Sequence, residues 1–216
     1  NDTDGGFQGT AFGGVFDGNG HTISHLTIDG MDYIGLFGQM LSDAEVRDIG
    51  LIDVNIVGSG VVGGLVGFNG NNWDDWWNDR PVGGILRGCY ATGLVNGYWE
   101  VGGLAARNYG NIVVSCSSVK VDGSPEFSST VGGLVGMNFG GIDASYNCGS
   151  VTGTEYVGGL VGVNCQGAVT RCHSAGAVTG SLFVGGLVGD NGVPESHSRG
   201  NIVGSYSTGS VSGHGY

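Results

Sequence analysis

The chain has 216 residues, of which 48 are glycine, three are proline and 40% are hydrophobic. This apolar content is too high for a disordered glycine-rich linker, and the missing Gly-X-Y period excludes collagen. Nineteen acidic residues against seven basic ones give a net charge of −12, so no basic cluster is available for nucleic acid. No apolar run approaches the roughly 20 residues that cross a bilayer, which predicts no membrane insertion.

A short glycine-leucine motif recurs from residue 35 onward. Its six leucines are spaced 26 to 39 residues apart, which indicates a basic unit of about 26 residues with insertions. They are Leu36, Leu65, Leu104, Leu134, Leu160 and Leu187. Such a period is the signature of a repeat protein, whose units bury their apolar faces by stacking. We therefore predict a single domain over residues 1–216, with a first coil at 1–30 and repeats at 31–216.

An asparagine follows each motif from the second copy onward. These residues are Asn69, Asn108, Asn138, Asn164 and Asn191. Asparagine tolerates left-handed backbone angles and can hydrogen-bond its own backbone. We interpret this column as a turn.

Further along each unit, an apolar residue is followed three positions later by cysteine or serine. The pairs are Leu86 and Cys89, Val113 and Cys116, Ile142 and Ser145, Val169 and Cys172, Ile202 and Ser205, with Ile23 and Leu26 and then Val46 and Ile49 at the N-terminal end. No CxxC pair or Cys/His metal spacing occurs, so Cys89, Cys116 and Cys172 are interpreted as small buried side chains. A valine column comes next: Val95, Val121, Val151, Val178 and Val211.

Each unit therefore contains three short β-branched runs bounded by glycine or asparagine, which predict three strands separated by tight turns. If each strand pairs in parallel with its equivalent one coil away, identical side chains lie ~4.8 Å apart in ladders. The predicted fold is an all-β, three-sided parallel β-solenoid of about seven coils. Helix is disfavoured throughout.

The Val-Gly-Gly-Leu-Val-Gly run is expected to form one of these strands. Its double glycine suggests that another backbone approaches closely on one side. Strand alternation with leucine inside would leave a flat strip of valine and glycine facing out. This strip would be covered by the chain's own termini, be tolerated as exposed surface, or pack laterally on another solenoid or domain.

Two insertions follow the asparagine column, at residues 70–83 and 192–200, and both should project from one edge where recognition loops are expected. The first contains three tryptophans within five residues together with aspartates: Trp73, Asp74, Asp75, Trp76, Trp77 and Asp79. Exposed tryptophan beside aspartate is typical of sugar binding, in which ring faces stack on pyranoses. Contact with another protein and a structural flap over the solenoid wall are the alternatives.

The aspartates of the first insertion also raise the question of a metal. Asp74, Asp75 and Asp79 could hold Ca²⁺ through carboxylate oxygens, although their spacing does not match an EF-hand. No other cofactor is expected.

With these columns in place, the units resemble the GLUG motif repeats of bacterial cell-surface adhesins and of the N-terminal parts of some immunoglobulin-A peptidases. The resemblance covers about residues 30–216 and rests on Val-Gly-Gly-Leu-Val-Gly-x-Asn followed by Cys/Ser-Tyr-x-x-Gly-x-Val. The segment from Phe16 to Ile23 also looks like the first turn of right-handed parallel β-helix proteins. The resemblance implies a right-handed solenoid at an extracellular or cell-surface location, without a catalytic motif of its own.

We expect a structural or adhesive role and no enzyme activity. Carbohydrate-active β-helices need carboxylates that converge on one groove, whereas these strand columns carry glycine, valine, serine, threonine and cysteine. Asp143 and Arg171 are interpreted as a surface ion pair of small energetic value. The alternative is a carbohydrate-binding or carbohydrate-active β-helix with its site at the tryptophan-rich insertion.

The ends of a solenoid are unpaired strand edges, which natural proteins usually cap. The last coil shows no cap of charge, proline or helix. The sequence therefore either continues in a longer protein or meets neighbouring copies in a fibre. Expected partners are copies of this chain, end to end or side by side, or other surface proteins and glycans.

Overall fold

The computed structural model describes residues 9–71, 82–124, 129–192 and 199–213. Regular structure in these ranges consists of β-strands alone. The strands form four parallel sheets of seven, eleven, five and six strands, and the chain makes about six turns. The all-β parallel solenoid predicted from the repeats is confirmed.

The first sheet contains seven strands of three residues each. They are Val15–Asp17, Glu45–Arg47, Ile85–Arg87, Asn111–Val113, Gly141–Asp143, Ala168–Thr170 and Asn201–Val203. The central residue of each strand faces the core, so that Leu86, Ile112 and Ile142 lie one above another. These side chains are at most 1% exposed.

The second sheet contains eleven strands, because some coils divide this face into two short strands. They are Thr22–Ser24, Thr27–Asp29, Gly50–Val57, Tyr90–Gly97, Cys116–Gly123, Tyr146–Asn147, Val151–Thr152, His173–Ser174, Val178–Gly180, Tyr206–Ser207 and Val211–Gly213. Val95, Val121 and Val151 lie in one buried column of this sheet.

The third and fourth sheets complete each coil. The third contains Val61–Gly63, Glu100–Gly102, Thr130–Gly132, Val157–Gly158 and Val184–Gly185. The fourth contains Phe37–Met40, Val66–Asn69, Ala105–Asn108, Val135–Asn138, Val161–Asn164 and Val188–Asp190. Between the two sheets, the amide of Leu65 donates to the carbonyl of Leu104, and Leu104 in turn to Leu134, both at 2.9 Å. The motif leucines therefore lie above one another at a bend.

This bend divides each regular unit into four strands instead of the predicted three. In one copy, Val61–Gly63 and Val66–Asn69 are separate strands, because the intervening glycine and leucine turn the chain. The outward strip of valine and glycine expected from strand alternation is wrong, since Val62, Leu65 and Val66 are all fully buried. A lateral contact through such a strip is therefore not available.

Both glycines of the bend are required by close packing. A Cβ on Gly132 would overlap the carbonyl oxygen of Val135 in the fourth sheet, and a Cβ on Gly133 would overlap the side-chain amide of Asn147. The first glycine lets the third and fourth sheets meet backbone to backbone. The second lets the inward side chains of the second sheet approach across the core. The interpretation of the double glycine as a site of close approach is confirmed.

One residue with a left-handed backbone turns the chain between the first and second sheets in six coils. These residues and their φ angles are Asp48 (52°), Gly88 (62°), Val114 (50°), Ala144 (47°), Arg171 (53°) and Gly204 (59°). Because the angle is set by the corner, it is adopted whatever side chain the residue carries.

The predicted cysteine column is wrong for Cys116. Ile112, and not Val113, pairs with Leu86 in the first sheet. Ser115 is therefore the residue equivalent to Cys89, whose amide donates to the Ser115 hydroxyl at 3.1 Å. The error has a simple cause: Ile112 with Ser115 and Val113 with Cys116 have the same spacing, and spacing alone cannot choose between them.

Cys116 instead pairs with Tyr146 in the second sheet and is partly exposed. The pattern assigned to the first coil is also misplaced. Phe16 pairs with Val46 in the first sheet, whereas Ile23 pairs with Leu51 in the second. An aromatic residue thus begins the apolar column that Ile23 was expected to begin.

Candidate functional site

An asparagine holds the corner between the fourth and first sheets in five successive coils, and it is buried in the first four of them and half-buried in the fifth. In a coil without an insertion, Gly110 N donates to Asn108 Oδ1 at 3.2 Å and Asn108 Nδ2 donates to Gly110 O at 3.1 Å. We call this paired contact the asparagine clamp. Asn69 forms the same pair, and Asn138, Asn164 and Asn191 keep the donation from Nδ2 to a glycine carbonyl, so all five are counted as members of the clamp.

The clamp also closes where the chain carries an insertion. Gly84 N donates to Asn69 Oδ1 at 2.8 Å, and Asn69 Nδ2 donates to Gly84 O at 3.1 Å, although 15 residues separate them. Asn191 Nδ2 donates to Gly200 O at 2.9 Å across nine residues. The corner therefore accepts loops of different lengths, because one side chain joins the two ends of each loop.

The clamps of neighbouring coils are hydrogen-bonded to one another. Each Nδ2 donates to the Oδ1 of the next coil, at 2.8 Å from Asn69 to Asn108 and at 2.9 Å from Asn138 to Asn164. A buried amide without partners costs about 1–3 kcal/mol, and here the amides satisfy one another. The base of both insertions is thus a continuous buried ladder of side-chain amides.

The interpretation of these asparagines as a turn was right in one respect and wrong in another. They do hydrogen-bond the backbone of the turn that follows. However, none of the five has a positive φ, and four of them end a strand of the fourth sheet. Their side chains, and not a special backbone angle, are what the corner requires.

Both predicted insertions begin at this corner, since Asn69 and Asn191 belong to one ladder. The residues predicted to bind sugar or calcium all lie outside the described part of the chain: Trp73, Asp74, Asp75, Trp76, Trp77 and Asp79. Their roles remain predictions. At the base of the first insertion, Asn71 Oδ1 accepts from Ser42 N at 3.0 Å and Gln39 Nε2 donates to Gly70 O at 2.9 Å.

The five cysteines are free thiols. Cys89 is buried and donates to the carbonyl of Val46 at 3.4 Å, and burial raises the pKa of its thiol to about 11. Burial likewise raises the pKa of Cys165 to about 11 and raises that of Cys172. Since the thiolate is the reactive form, these three side chains behave as small apolar core residues.

Asp143, at the end of a strand of the first sheet, forms an ion pair with Arg171 at the corner of the next coil. Thr170 also donates to Asp143 Oδ1 at 2.7 Å. The hydrogen bond from Thr170, with a smaller contribution from Arg171, lowers the pKa of this carboxyl group. Because the Arg171 side chain is 72% exposed, solvent screens the pair and its contribution to stability is small.

The chemistry of the described ranges is otherwise sparse. In them, no group of three or more histidine, cysteine, aspartate or glutamate side chains is placed to hold a metal ion. No helix in the same ranges has the length and apolar character needed to span a membrane.

A stack of parallel coils tied by side-chain ladders defines a β-solenoid repeat protein. Residues 58–96 match the family model of the GLUG motif, and the chain is a β-solenoid whose repeats resemble this motif. A segment of 116 residues, 53% of the chain, is 35% identical to halomucin of Haloquadratum walsbyi. The chain covers only 1% of the length of halomucin.

A solved structure shows the same fold. It is the crystal structure of a Bacteroides ovatus protein described as a candidate immunoglobulin A1 protease, with a TM-score of 0.67 over 90% of this chain and 68% of that one. The two sequences are 18% identical, so the likeness concerns the fold alone.

Sequence reasoning missed one surface feature. Large apolar side chains are exposed at the corner between the second and third sheets, among them Trp99 and Phe183. Both directly precede a strand of the third sheet, close after the glycine that ends the second. The available signal was an apolar residue at a turn that another coil forms with Gly58, Ser59 and Gly60.

Proposed function

We propose that this chain is a rigid structural segment of an extracellular or cell-surface protein, which presents loops from the clamped corner. The observation that carries the proposal is the asparagine clamp: it closes over two residues at Asn108 and over 15 at Asn69 with the same pair of hydrogen bonds. A scaffold of this kind holds its framework constant while its loops vary.

The surface location draws support from the relationship to halomucin and from the resemblance to repeats of surface adhesins. The charge of −12 agrees with a solvated exterior. Antibodies against the purified chain, applied to intact cells of the producing organism, test this location. Labelling of intact cells, removed by external protease, is expected. Labelling only after permeabilisation would overturn it.

Sugar binding by the first insertion is a second candidate function. It is favoured by Trp73, Trp76 and Trp77 beside aspartate, on a loop whose base is fixed by Asn69. A glycan array with the wild type and Trp76→Ala tests it, with Trp99→Ala as a control tryptophan outside the insertion. Binding lost only in Trp76→Ala supports the role, and equal binding by all three proteins contradicts it.

A catalytic version of this candidate is distinguished by turnover. The reducing ends released from every glycan that binds would be measured over time. We expect none, because the proposed role is presentation and binding. Sustained release would replace the scaffold proposal with a carbohydrate-active one.

Self-association, end to end or side by side, is the remaining partner proposal. Size-exclusion chromatography with negative-stain imaging of the chain tests it directly. Filaments or discrete oligomers are the expected result. A monomer at every concentration would remove self-assembly and leave other surface proteins and glycans as the partners.

A further inference from the structure

The corner between the second and third sheets carries a line of exposed apolar side chains. Met31 is 79% exposed, Trp99 66%, Phe183 50% and Leu182 41%. We call these four residues the apolar corner. Phe183 also stacks on Tyr156 of the preceding coil, with ring centroids 4.8 Å apart and an angle of 7°.

The members of the apolar corner lie one to three residues before the column of Ile34, Val101 and Val184, on the first, third and sixth coils along one edge of the stack. Gly60 N donates to Met31 O at 2.7 Å, Thr130 N donates to Trp99 O at 2.7 Å, and Val157 N donates to Phe183 O at 3.1 Å. Five coil-to-coil steps separate Met31 from Phe183, which at ~4.8 Å per step spans about 24 Å. This length suits an extended segment or one helix of a partner.

The fold does not require large apolar residues at this corner. The coil between Met31 and Trp99 passes it with Ser59 and Gly60 and stays in register. Exposed apolar groups on a rigid frame are typical of an interaction site.

The surroundings of the apolar corner are acidic. Asp29 and Asp32 flank Met31 in sequence and are exposed, and Glu155 precedes Tyr156. Asp190 lies near enough to Tyr156 to raise its pKa, after the larger effect of burial. Two of the described basic side chains are engaged with acidic neighbours, Arg107 with Glu100 and Lys120 with Asp122.

We propose that the apolar corner binds a partner protein through a basic segment with apolar side chains. Apolar contact with Trp99 and Phe183 would supply affinity, and the acidic flanks would select a cationic partner and speed its approach. A second copy of this chain is disfavoured as the occupant of this corner, because its seven basic residues against 19 acidic ones supply no basic segment. Association through the strand edges at the ends of the stack does not depend on this corner. This proposal rests on the proposed scaffold function, because the rigid stack of coils holds the residues of the apolar corner in fixed positions.

Binding of defined peptides tests the proposal on the full chain. The probes are an amphipathic helix of lysine and leucine, the same helix with glutamate in place of lysine, and polylysine. The proteins are the wild type, Trp99→Ser/Phe183→Ser, and Tyr206→Ser, an aromatic residue that is 57% exposed on another face. The Lys/Leu helix should bind the wild type and Tyr206→Ser equally, and the double variant at least about tenfold more weakly.

The other probes set the remaining outcomes. The Glu/Leu helix should not bind, and polylysine should bind weakly and without regard to Trp99. If the double variant binds the Lys/Leu helix as well as the wild type does, the proposal is overturned. It is also overturned if the double variant loses binding on the glycan array, because the corner would then be a sugar site. The melting temperature of the double variant separates the docking proposal from the scaffold proposal on which it rests. A lowered melting temperature indicates that the substitutions damage the scaffold, whereas an unchanged melting temperature with lost binding indicates a docking surface.

Discussion

The left-handed corner between the first and second sheets shows how the fold imposes conformation on single residues. Glycine is found at this corner at Gly88 and Gly204, but Val114 adopts the same geometry with a φ of 50°. An L-residue with a side chain loses roughly 1–2 kcal/mol in this region, and a β-branched one is a genuine outlier. The coil is held in place by its neighbours despite this local cost.

Val114→Gly should therefore stabilise the protein. Relief of the left-handed strain outweighs the greater flexibility of glycine in the unfolded chain, about 0.5–1 kcal/mol, so a net gain of about 0.5–1 kcal/mol is expected in thermal or urea unfolding. Val113→Gly, one residue earlier in a strand, serves as the control and should destabilise. A loss of stability in Val114→Gly would mean that the corner is not strained.

Cysteine reactivity is a second property set residue by residue. Cys89, Cys165 and Cys172 are buried, whereas Cys148 is exposed and Cys116 partly so. The side chains that look alike in sequence are therefore divided by burial into two groups.

Alkylation by iodoacetamide at pH 8 should modify Cys148 and Cys116 first. With a pKa of about 11, only about one in a thousand of the Cys89 or Cys165 thiols is ionised at that pH, and reagent access is blocked as well. Peptide mass spectrometry of native and urea-unfolded protein reads out the order. Early labelling of Cys89 in the native state would contradict the structure.

At the scale of the element, the Gly-Gly-Leu bend explains why the repeat motif is so restricted. Two sheets meet on one side of it and a third approaches on the other, which leaves no room for a Cβ at either glycine. The leucine at the apex fills the core. The motif is thus a packing requirement and not a binding sequence.

Gly133→Ala should destabilise by about 1–3 kcal/mol or more, because the new methyl group overlaps the amide of Asn147 and the carbonyl of Gly159. Gly13→Ala is the matched control: its nearest neighbour would be Leu41 at 3.3 Å, and the effect should stay within about 0.5 kcal/mol. Urea unfolding of both variants measures the difference. Equal effects would show that the bend is less tightly packed.

The asparagine ladder is the second element that joins the coils. Asn138→Ala removes the acceptor of Asn108 Nδ2 and the donor to Asn164 Oδ1. Two buried amides lose a partner, and a cost of about 2–5 kcal/mol is expected.

Asn138→Asp tests whether the ladder depends on the hydrogen-bond donor of the amide or only on the volume of the side chain. It keeps the volume but cannot donate, so it should destabilise about as much as Asn138→Ala at neutral pH. Asn191→Ala, at a half-buried rung, should cost less. Near-neutral behaviour of Asn138→Asp in urea unfolding would show that the ladder contributes little.

For the whole molecule, periodicity was enough to predict a parallel stack, because identical columns arise only when equivalent residues of successive units lie above one another. Periodicity was not enough to place Cys116, because the pair of Ile112 and Ser115 and the pair of Val113 and Cys116 have the same spacing. It also missed the bend, because the strand alternation used to read Val-Gly-Gly-Leu-Val-Gly assumes a straight strand. Buried valines on both sides of that bend follow from backbone packing that no side-chain pattern reveals.

The site was predictable only in part. The asparagine column and the shared corner of both insertions were visible in the sequence, whereas the clamp depends on a hydrogen bond from Asn69 to a glycine 15 residues away. The apolar corner was missed because its members, such as Met31 and Trp99, occur at irregular intervals and become a line only when the coils are stacked.

The most direct test of the stack is the distance between spin labels on one outward column of the second sheet. Asp29, Val57, Asn96, Asp122, Thr152, Thr179 and Ser212 are paired in that order. Labels introduced as non-natural residues and measured by pulsed electron paramagnetic resonance should be about 19 Å apart for Asp29 with Thr152 and about 29 Å apart for Asp29 with Ser212. Distances that fail to grow by about 5 Å per coil would contradict in-register parallel stacking.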